Sequence, residues 1–331
     1  RKLVEEARAV VAAVVGGAPA GVVFTSGGTE ANNLALRVPG DGPVLVSAIE
    51  HDSVLAAAPE AIRLPARTDG RVDLEAARQL IERHRPRLVS VMLVNNETGV
   101  IQPVVDVARA ARDAGALVHS DAVQAVGRLE VDMARLGVDL LTLSAHKLGG
   151  PPGVGALIVR DGLEIEPLIR GGGQEQRRRA GTENVPGIVG FGRVAELIRA
   201  DWVEEVRRLE GLRDRLETEL FERAPDARIF GREAPRVGNT SCIAMSGVAS
   251  ETQVIALDLE GVAVSAGAAC SSGKVGRSHV LDAMGGGEFA DTAIRVSLGH
   301  ATRSADVERF VEAWLRLYER SRRRAELRRS A

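Results

Sequence analysis

Two side chains in this sequence are suited to covalent chemistry with a small molecule, and each lies where no regular element would use it. Lys147 falls in LLTLSAHKLGGPPG, Leu140–Gly153, where an apolar, β-prone run delivers Ser144, His146 and Lys147 into a Gly/Pro loop. Charged side chains are rarely buried without a partner. A lysine at the end of a core strand therefore either reaches water as an ordinary loop residue or engages its amine in a Schiff base. Cys270 falls in VSAGAACSSGKVG, Val264–Gly276, whose small and flexible residues predict a solvent-reachable loop. A thiol with pKa near 8.5 is only about 3% thiolate at pH 7, but it is already a strong nucleophile and a nearby cation raises that fraction. The second cysteine, Cys242, lies in the apolar run Ser241–Met245 and is expected to be a small core side chain.

Other strands are predicted to end on polar groups. His119-Ser120-Asp121-Ala122-Val123-Gln124 closes one with a carboxylate and an amide. A buried Asp is disfavoured without a cation, and this one could hold a protonated pyridine nitrogen. Asn95-Asn96-Glu97 closes another strand, and Glu50-His51 follows a third. An imidazole there can stack on an aromatic ring and move protons near neutral pH. Strand Val22–Thr25 runs into Ser26-Gly27-Gly28-Thr29-Glu30-Ala31-Asn32-Asn33 and then a helix. Glycines let backbone approach an anion, the first helical turn offers unpaired N–H groups, and Thr29 adds a hydroxyl. The turn has neither the dinucleotide nor the P-loop spacing of glycines. Taken singly, each of these residues serves a turn or cap as readily as a ligand. Together, strand ends carrying Asn, Asp, His and Lys mark the edge where ligands of open α/β sheets gather. Arg295, alone in the strand-like Ile294–Gly299, calls for a carboxylate partner from the protein or from a substrate.

The elements that must position these groups alternate. Strands are predicted at Val22–Thr25, Val44–Ser47, Leu88–Val94, Leu117–Ser120, Asp139–Leu143 and Val154–Val159. Helices are predicted at Arg1–Val15, Glu30–Leu36, Leu74–His84 and Val104–Ala114, the pattern of a mostly parallel sheet covered by helices on both faces. From Pro186 to about Arg223 a long amphipathic segment leads into a smaller second domain. That domain is expected to hold strands near Asn239–Met245 and Ala293–Leu298, with helices at Glu251–Glu260, Ser278–Met284 and Ala305–Leu327. The fold class is α/β, with a large domain over residues 1–200 and a smaller α+β domain over 201–331. The basic run Arg320–Arg329 is expected to be a solvated helix end.

Composition narrows the function. The 331 residues are 45% hydrophobic but only 3% aromatic, so the core is aliphatic. A formal charge of −2 gives no electrostatic footprint for nucleic acid or an anionic membrane. No run of about 18 uncharged apolar residues and no signal-peptide pattern occurs, so a soluble protein is expected. Two cysteines are too few for a disulfide framework and suit a reducing cytoplasm. The partners to expect are small molecules and other proteins, and no metal set is expected. The chain opens on Arg1 within a predicted helix, so a preceding segment is expected.

The motifs TSGGTEANNLAL, EHDSVL, VNNETGVIQP, HSDAVQAVG, LSAHKLGGPPGVGAL, GGGQEQRRRAGTENVPGIVG, SAGAACSSG and IRVSLG follow one another in family order from about Val22 to Leu298. In them the chain resembles the cysteine desulfurases, pyridoxal-phosphate enzymes of fold type I in the class V aminotransferase group. The resemblance implies pyridoxal 5'-phosphate held by Lys147, which also shuttles the Cα proton. It implies that Asp121 pairs with the pyridine nitrogen, Gln124 contacts the ring oxygen, Asn96 lies beside the ring and His51 stacks on it. Gly28, Thr29, Ser144 and His146 would bind the phosphate, and Thr182 would reach it from the other subunit of a homodimer. Arg295, with Asn33, would clamp the carboxylate of L-cysteine. Cys270 would take the sulfur as a persulfide, releasing L-alanine, and pass it to an acceptor or scaffold protein for iron–sulfur cluster assembly in the cytoplasm. A selenocysteine lyase or another class V aminotransferase is the alternative on this scaffold, and a non-catalytic binding protein the alternative outside it. Three departures stand out: the family's Asp-Asn-Ala-rich opening strand is absent, Gly28 replaces the usual Ala, and the stretch from Leu36 to Val44 is short, which would trim a helix end.

Overall fold

The computed structural model describes residues 1–267 and 277–329, which form two compact units. The first comprises Arg1–Ala66, Val72–Asn95 and Ile101–Trp202. Its seven strands are β1 (Val22–Thr25), β2 (Val44–Ser47), β3 (Ile62–Leu64), β4 (Leu88–Ser90), β5 (Leu117–Asp121), β6 (Leu140–Ser144) and β7 (Gly155–Val159). They are ordered β1-β7-β6-β5-β4-β2-β3, and only the β7 pairings, to β1 and to β6, are antiparallel. The other neighbours are parallel, as the β–α alternation requires. Nearly every strand residue is buried, because helices cover both faces.

Those helices are α1 (Lys2–Val14), α2 (Gly28–Ala35), α3 (Asp52–Leu55), α4 (Leu74–His84), α5 (Val104–Asp113) and α6 (Met133–Leu136). Helix α1 buries Val4, Ala7, Arg8, Val11 and Ala12, a stripe at three- and four-residue spacing. In α4 the Asp73 carboxylate accepts from the amides of Glu75 and Ala76, and the helix stops at Arg85 in a left-handed conformation just before Pro86. The sequence pattern for this helix therefore matches its observed bounds. The expected strand Leu88–Val94 is shorter, and the cause is specific. The amides of Val91 and Leu93 still bond across to β5, at the carbonyls of His119 and Asp121. On the β2 side, the Glu50 carboxylate takes the Met92 amide at 2.6 Å, so a side chain replaces the ladder where β2 ends.

Helix α7 (Val185–Arg223) begins in the first unit and continues in the second. The second unit comprises Arg67–Arg71, Asn96–Val100 and Val203–Ala331, and holds β8 (Arg228–Phe230), β9 (Thr240–Ala244), β10 (Ser265–Ala266) and β11 (Ala293–Ser297) in the order β10-β11-β9-β8, all antiparallel. Helices α8 (Ser250–Leu259), α9 (His279–Ala283) and α10 (Ser304–Arg329) complete it. Leu212, Leu216 and Leu220 of α7 share a core with Ile243, Ile294, Val311 and Trp314. A buried ion pair braces this unit: Arg236 meets Glu217 with two hydrogen bonds of 2.7 Å, both side chains 4% exposed, and Ser241 Oγ donates to the same carboxylate at 2.7 Å. Strands β3, β8 and β10 are absent from the sequence expectation; each is two or three residues long at or near a sheet edge, too short for a period-2 pattern. Among the described residues, no helix is long and apolar enough to cross a membrane.

Candidate active site

In the first unit, adjacent strands deliver polar groups to one end of the sheet. Asp121 ends β5, Ser144 ends β6, and β6 passes into the 3₁₀ turn Ala145–Leu148 that carries His146 and Lys147. Asp121 is 6% exposed; its Oδ1 accepts from the Val123 amide at 2.9 Å and its Oδ2 from Asn32 Nδ2 at 2.7 Å. The same Asn32 amide nitrogen donates to Ser53 Oγ at 2.8 Å. Ser53 Oγ lies 2.8 Å from His51 Nδ1, which also accepts the Ser53 amide at 3.0 Å. A continuous polar chain thus joins His51, Ser53, Asn32 and Asp121. Because an amide N–H can only donate, Nδ1 of His51 is an acceptor and the neutral ring carries its proton on Nε2.

Charge at this site is set mainly by burial. Burial pushes the Asp121 carboxyl above the usual carboxylate range; hydrogen bonds from Asn32 and Val123 and the nearby His51 and Lys147 pull it back without overcoming the effect. His51 and Lys147 are therefore within electrostatic reach of Asp121, which brings together three of the residues singled out from the sequence. Burial also raises the Glu50 carboxyl well above its usual range, and the Asp121 charge adds to the shift. Beneath Asp121 on β5, His119 is wholly buried between Ser90 Oγ, 2.8 Å from Nδ1, and Thr142 Oγ1, 3.0 Å from Nε2. Burial lowers its pKa to about 3, so its ring is neutral at physiological pH.

Gly28 opens α2 facing this end of the sheet. A methyl group there would lie 3.0 Å from Val123 Cγ2 and 3.6 Å from Ser144 Cβ, so glycine relieves a tight contact with the Asp121–Gln124 turn. Thr29 is exposed. Ser144 Oγ lies 2.9 Å from His146 Nδ1, and burial followed by the Lys147 charge lowers the His146 pKa. Arg128 donates to two main-chain carbonyls, Gln124 at 2.8 Å and Lys147 at 3.2 Å, and so fastens the turn of Gln124 to that of Lys147. Asn33, in contrast, donates to the carbonyls of Thr29 and Ser53, at 2.8 and 3.1 Å. Thr182 is exposed on the segment before α7.

Asn96 and Arg295 belong to the second unit, where Arg295 Nη1 donates to the Asn96 carbonyl at 3.2 Å. Arg295 is half-buried on β11 and makes no ion pair among the described residues. The Oδ1 atom of Asn96 is buried and has no hydrogen-bond partner among the described residues. Cys242 is fully buried on β9, and burial raises its thiol pKa steeply, as suits a core side chain. Cys270 lies outside the described residues.

Sequence reasoning missed Asn32 and Ser53, which join His51 to Asp121. The signal was available: from Gly28, whose missing side chain faces the site, the residue four positions on lies on the same helical face, and that residue is Asn32.

The Aminotransferase class-V family profile matches residues 1–310. A cysteine desulfurase from Cereibacter sphaeroides is 45% identical over 326 residues, 94% of this chain and 83% of that protein. The solved structure of a NifS-like protein from Rickettsia africae superposes with a TM-score of 0.89 at 36% identity, covering 96% of this chain and 88% of that one. A structure of SspA in complex with cysteine aligns at 29% identity with a TM-score of 0.76, covering 90% and 86%. The chain belongs to the class V aminotransferase family and, within it, to the cysteine desulfurase enzymes, with the fold-type I architecture that the motifs imply.

Proposed function

We propose that this protein removes sulfur from L-cysteine, giving L-alanine and a persulfide on Cys270, with pyridoxal 5'-phosphate as cofactor and an acceptor or scaffold protein as the destination of the sulfur. The observation that carries the reading is the polar chain from His51 to Asp121 with Lys147 in electrostatic reach. The cofactor fits this residue set. Both hydrogen-bond donors found on Asp121 are neutral, so burial still disfavours its charge, and a protonated pyridine N–H supplies the missing cation. Asn32 Oδ1, buried without a hydrogen-bond partner among the described residues, offers an open acceptor beside Asp121.

Asp121 would hold the ring nitrogen, with Gln124 and Asn96 at the ring and His51 against its face. Gly28, Thr29, Ser144 and His146 would bind the phosphate, aided by the amides of the first turn of α2. When bound, the cofactor supplies an electron sink for the pair left behind as the Cα proton departs. Lys147 Nζ holds and moves that proton, a role that contributes about 10²–10⁴ in rate. Arg295 spends one N–H on the Asn96 carbonyl, which leaves donors of its fork for a carboxylate. In the net reaction the substrate C–S bond breaks, an S–S bond forms on Cys270 and the β-carbon gains hydrogen. No external oxidant or reductant is needed. Thr182 from a second copy would complete the phosphate site, which makes the working unit a homodimer. A cytoplasmic location and a place in iron–sulfur cluster assembly suit a thiol that must stay reduced between turnovers.

The test is to load the full chain with pyridoxal 5'-phosphate, add L-cysteine and a thiol reductant, and measure alanine and sulfide. Alanine and sulfide in equal amounts are expected, and both vanish in Cys270→Ala while the visible absorption of the loaded protein remains. Absence of alanine from the wild type overturns the reading. Undiminished turnover by Cys270→Ala points instead to aminotransfer or selenocysteine cleavage.

A further inference from the structure

Residues 173–182 are held against the chain on both sides of the turn between β1 and α2, by a hydrogen bond to β1 backed by an ion pair to α1 on one side and by an ion pair to α2 on the other. Before it, Glu175 is 7% exposed and accepts the Phe24 amide on Oε2 at 2.8 Å. Arg8 of α1 grips the same carboxylate with Nη1 on Oε2 and Nη2 on Oε1, both at 2.8 Å. After it, Arg179 donates to Glu30 from Nε at 2.9 Å and from Nη2 at 3.4 Å, while Glu30 Oε2 accepts the Ser26 amide at 2.8 Å. Between these anchors Glu175, Gln176 and Arg177 are left-handed, with φ of 44°, 55° and 66°. Side-chain-bearing residues persist in that region only when their surroundings over-determine them, and here two ion pairs do so.

Glu30 sits in the first turn of α2, two residues after Gly28. An acid there suits the helix dipole by itself, but the same turn is where the proposed function puts a phosphate. Two negative groups in one turn repel each other. Arg179 removes the conflict: burial alone would raise the Glu30 carboxyl, yet the hydrogen bonds from Arg179 and Ser26 together hold it below the usual range, so its charge is kept and compensated. The side chains of the pair are only 21% and 10% exposed, so water screens them weakly.

We propose that Arg179 is a positioning residue for cofactor retention. Its ion pair with Glu30 cancels a carboxylate beside the phosphate turn, and the Arg8–Glu175 pair holds the left-handed stretch that aims it. The proposal rests on the phosphate reading of that turn.

The full chain, stripped of cofactor, is titrated separately with pyridoxal 5'-phosphate and with pyridoxal, which lacks the phosphate. Arg179→Gln is expected to weaken binding of the phosphorylated form about tenfold, the scale of one partly buried charge interaction, and pyridoxal by less than about twofold. Arg179→Lys keeps most of the affinity, and the double variant Glu30→Gln/Arg179→Gln regains most of it. Glu30→Gln alone, which keeps Arg179 intact, binds the phosphorylated form as tightly as the wild type or more so. Equal losses for both ligands in Arg179→Gln overturn the proposal, because a merely loosened fold would produce them. A double variant as weak as Arg179→Gln, or a weakened Glu30→Gln, overturns it by removing the Glu30 charge from the account. A wild type that binds both ligands equally sinks the phosphate reading itself and this proposal with it.

Discussion

Replacing Asn32 with Asp is the sharpest test of the polar chain, because the change is nearly isosteric and reverses one hydrogen-bonding role. Asn32 is 1% exposed and its Nδ2 donates to Asp121 Oδ2 at 2.7 Å. A hydrogen bond to a charged acceptor contributes about 1.5–3 kcal/mol. With Asp at position 32, an oxygen faces Asp121 where the donor had been. Two carboxylates so close and so buried cannot both ionise, so one must take a proton or the strand ends must separate. The combined loss is expected to be about 3–5 kcal/mol at pH 7, a large share of the ~5–15 kcal/mol that holds a domain together. The pH dependence carries a sign. In the folded variant the pair titrates above the unfolded Asp value, so the folded state binds more protons across that window. Stability therefore recovers as pH falls from 7 through the folded value toward about 4. Urea unfolding of cofactor-free wild type and variant at pH 7 and pH 5 measures both quantities. A loss below about 1 kcal/mol at pH 7, or one that is unchanged at pH 5, refutes a direct Asn32–Asp121 hydrogen bond.

Other outcomes follow from the same reasoning. Arg236→Met leaves Glu217 buried without its cation and should cost about 3–5 kcal/mol in chemical unfolding; a cost near zero would show that the pair adds nothing over an apolar contact. His119, with a folded pKa of about 3 against 6.5 unfolded, binds its proton less readily when folded, so the stability it supports is complete above pH 6.5 and declines as pH falls toward 3. The decline should reach about 4 kcal/mol, should be missing from the pH profile of His119→Gln, and should accompany a ring resonance that does not move between pH 5 and 8. Lys147→Ala should lose the visible absorption of the loaded protein and at least ~10²-fold in alanine formation, and retention of both would exclude Lys147 as the cofactor lysine.

What could be learned from the sequence was local. The apolar runs of β1 and β2 end at the residues expected, and α4 is bounded by an Asp cap at its start and a Pro beyond its end, because strand patterning and capping act between near neighbours. Asp121, His51 and Lys147 were visible for a related reason: a polar residue that closes an apolar run has few uses other than a turn or a ligand. Folding decided the pairings across distance. Arg8 meets Glu175 from 167 positions away, Glu50 replaces the ladder at Met92, and Asn32 reaches Asp121. None of these partners lies close in sequence. Each contact exists because packing helices onto the sheet brings one chosen face of each element to the strand ends, and a one-dimensional pattern does not record which faces meet.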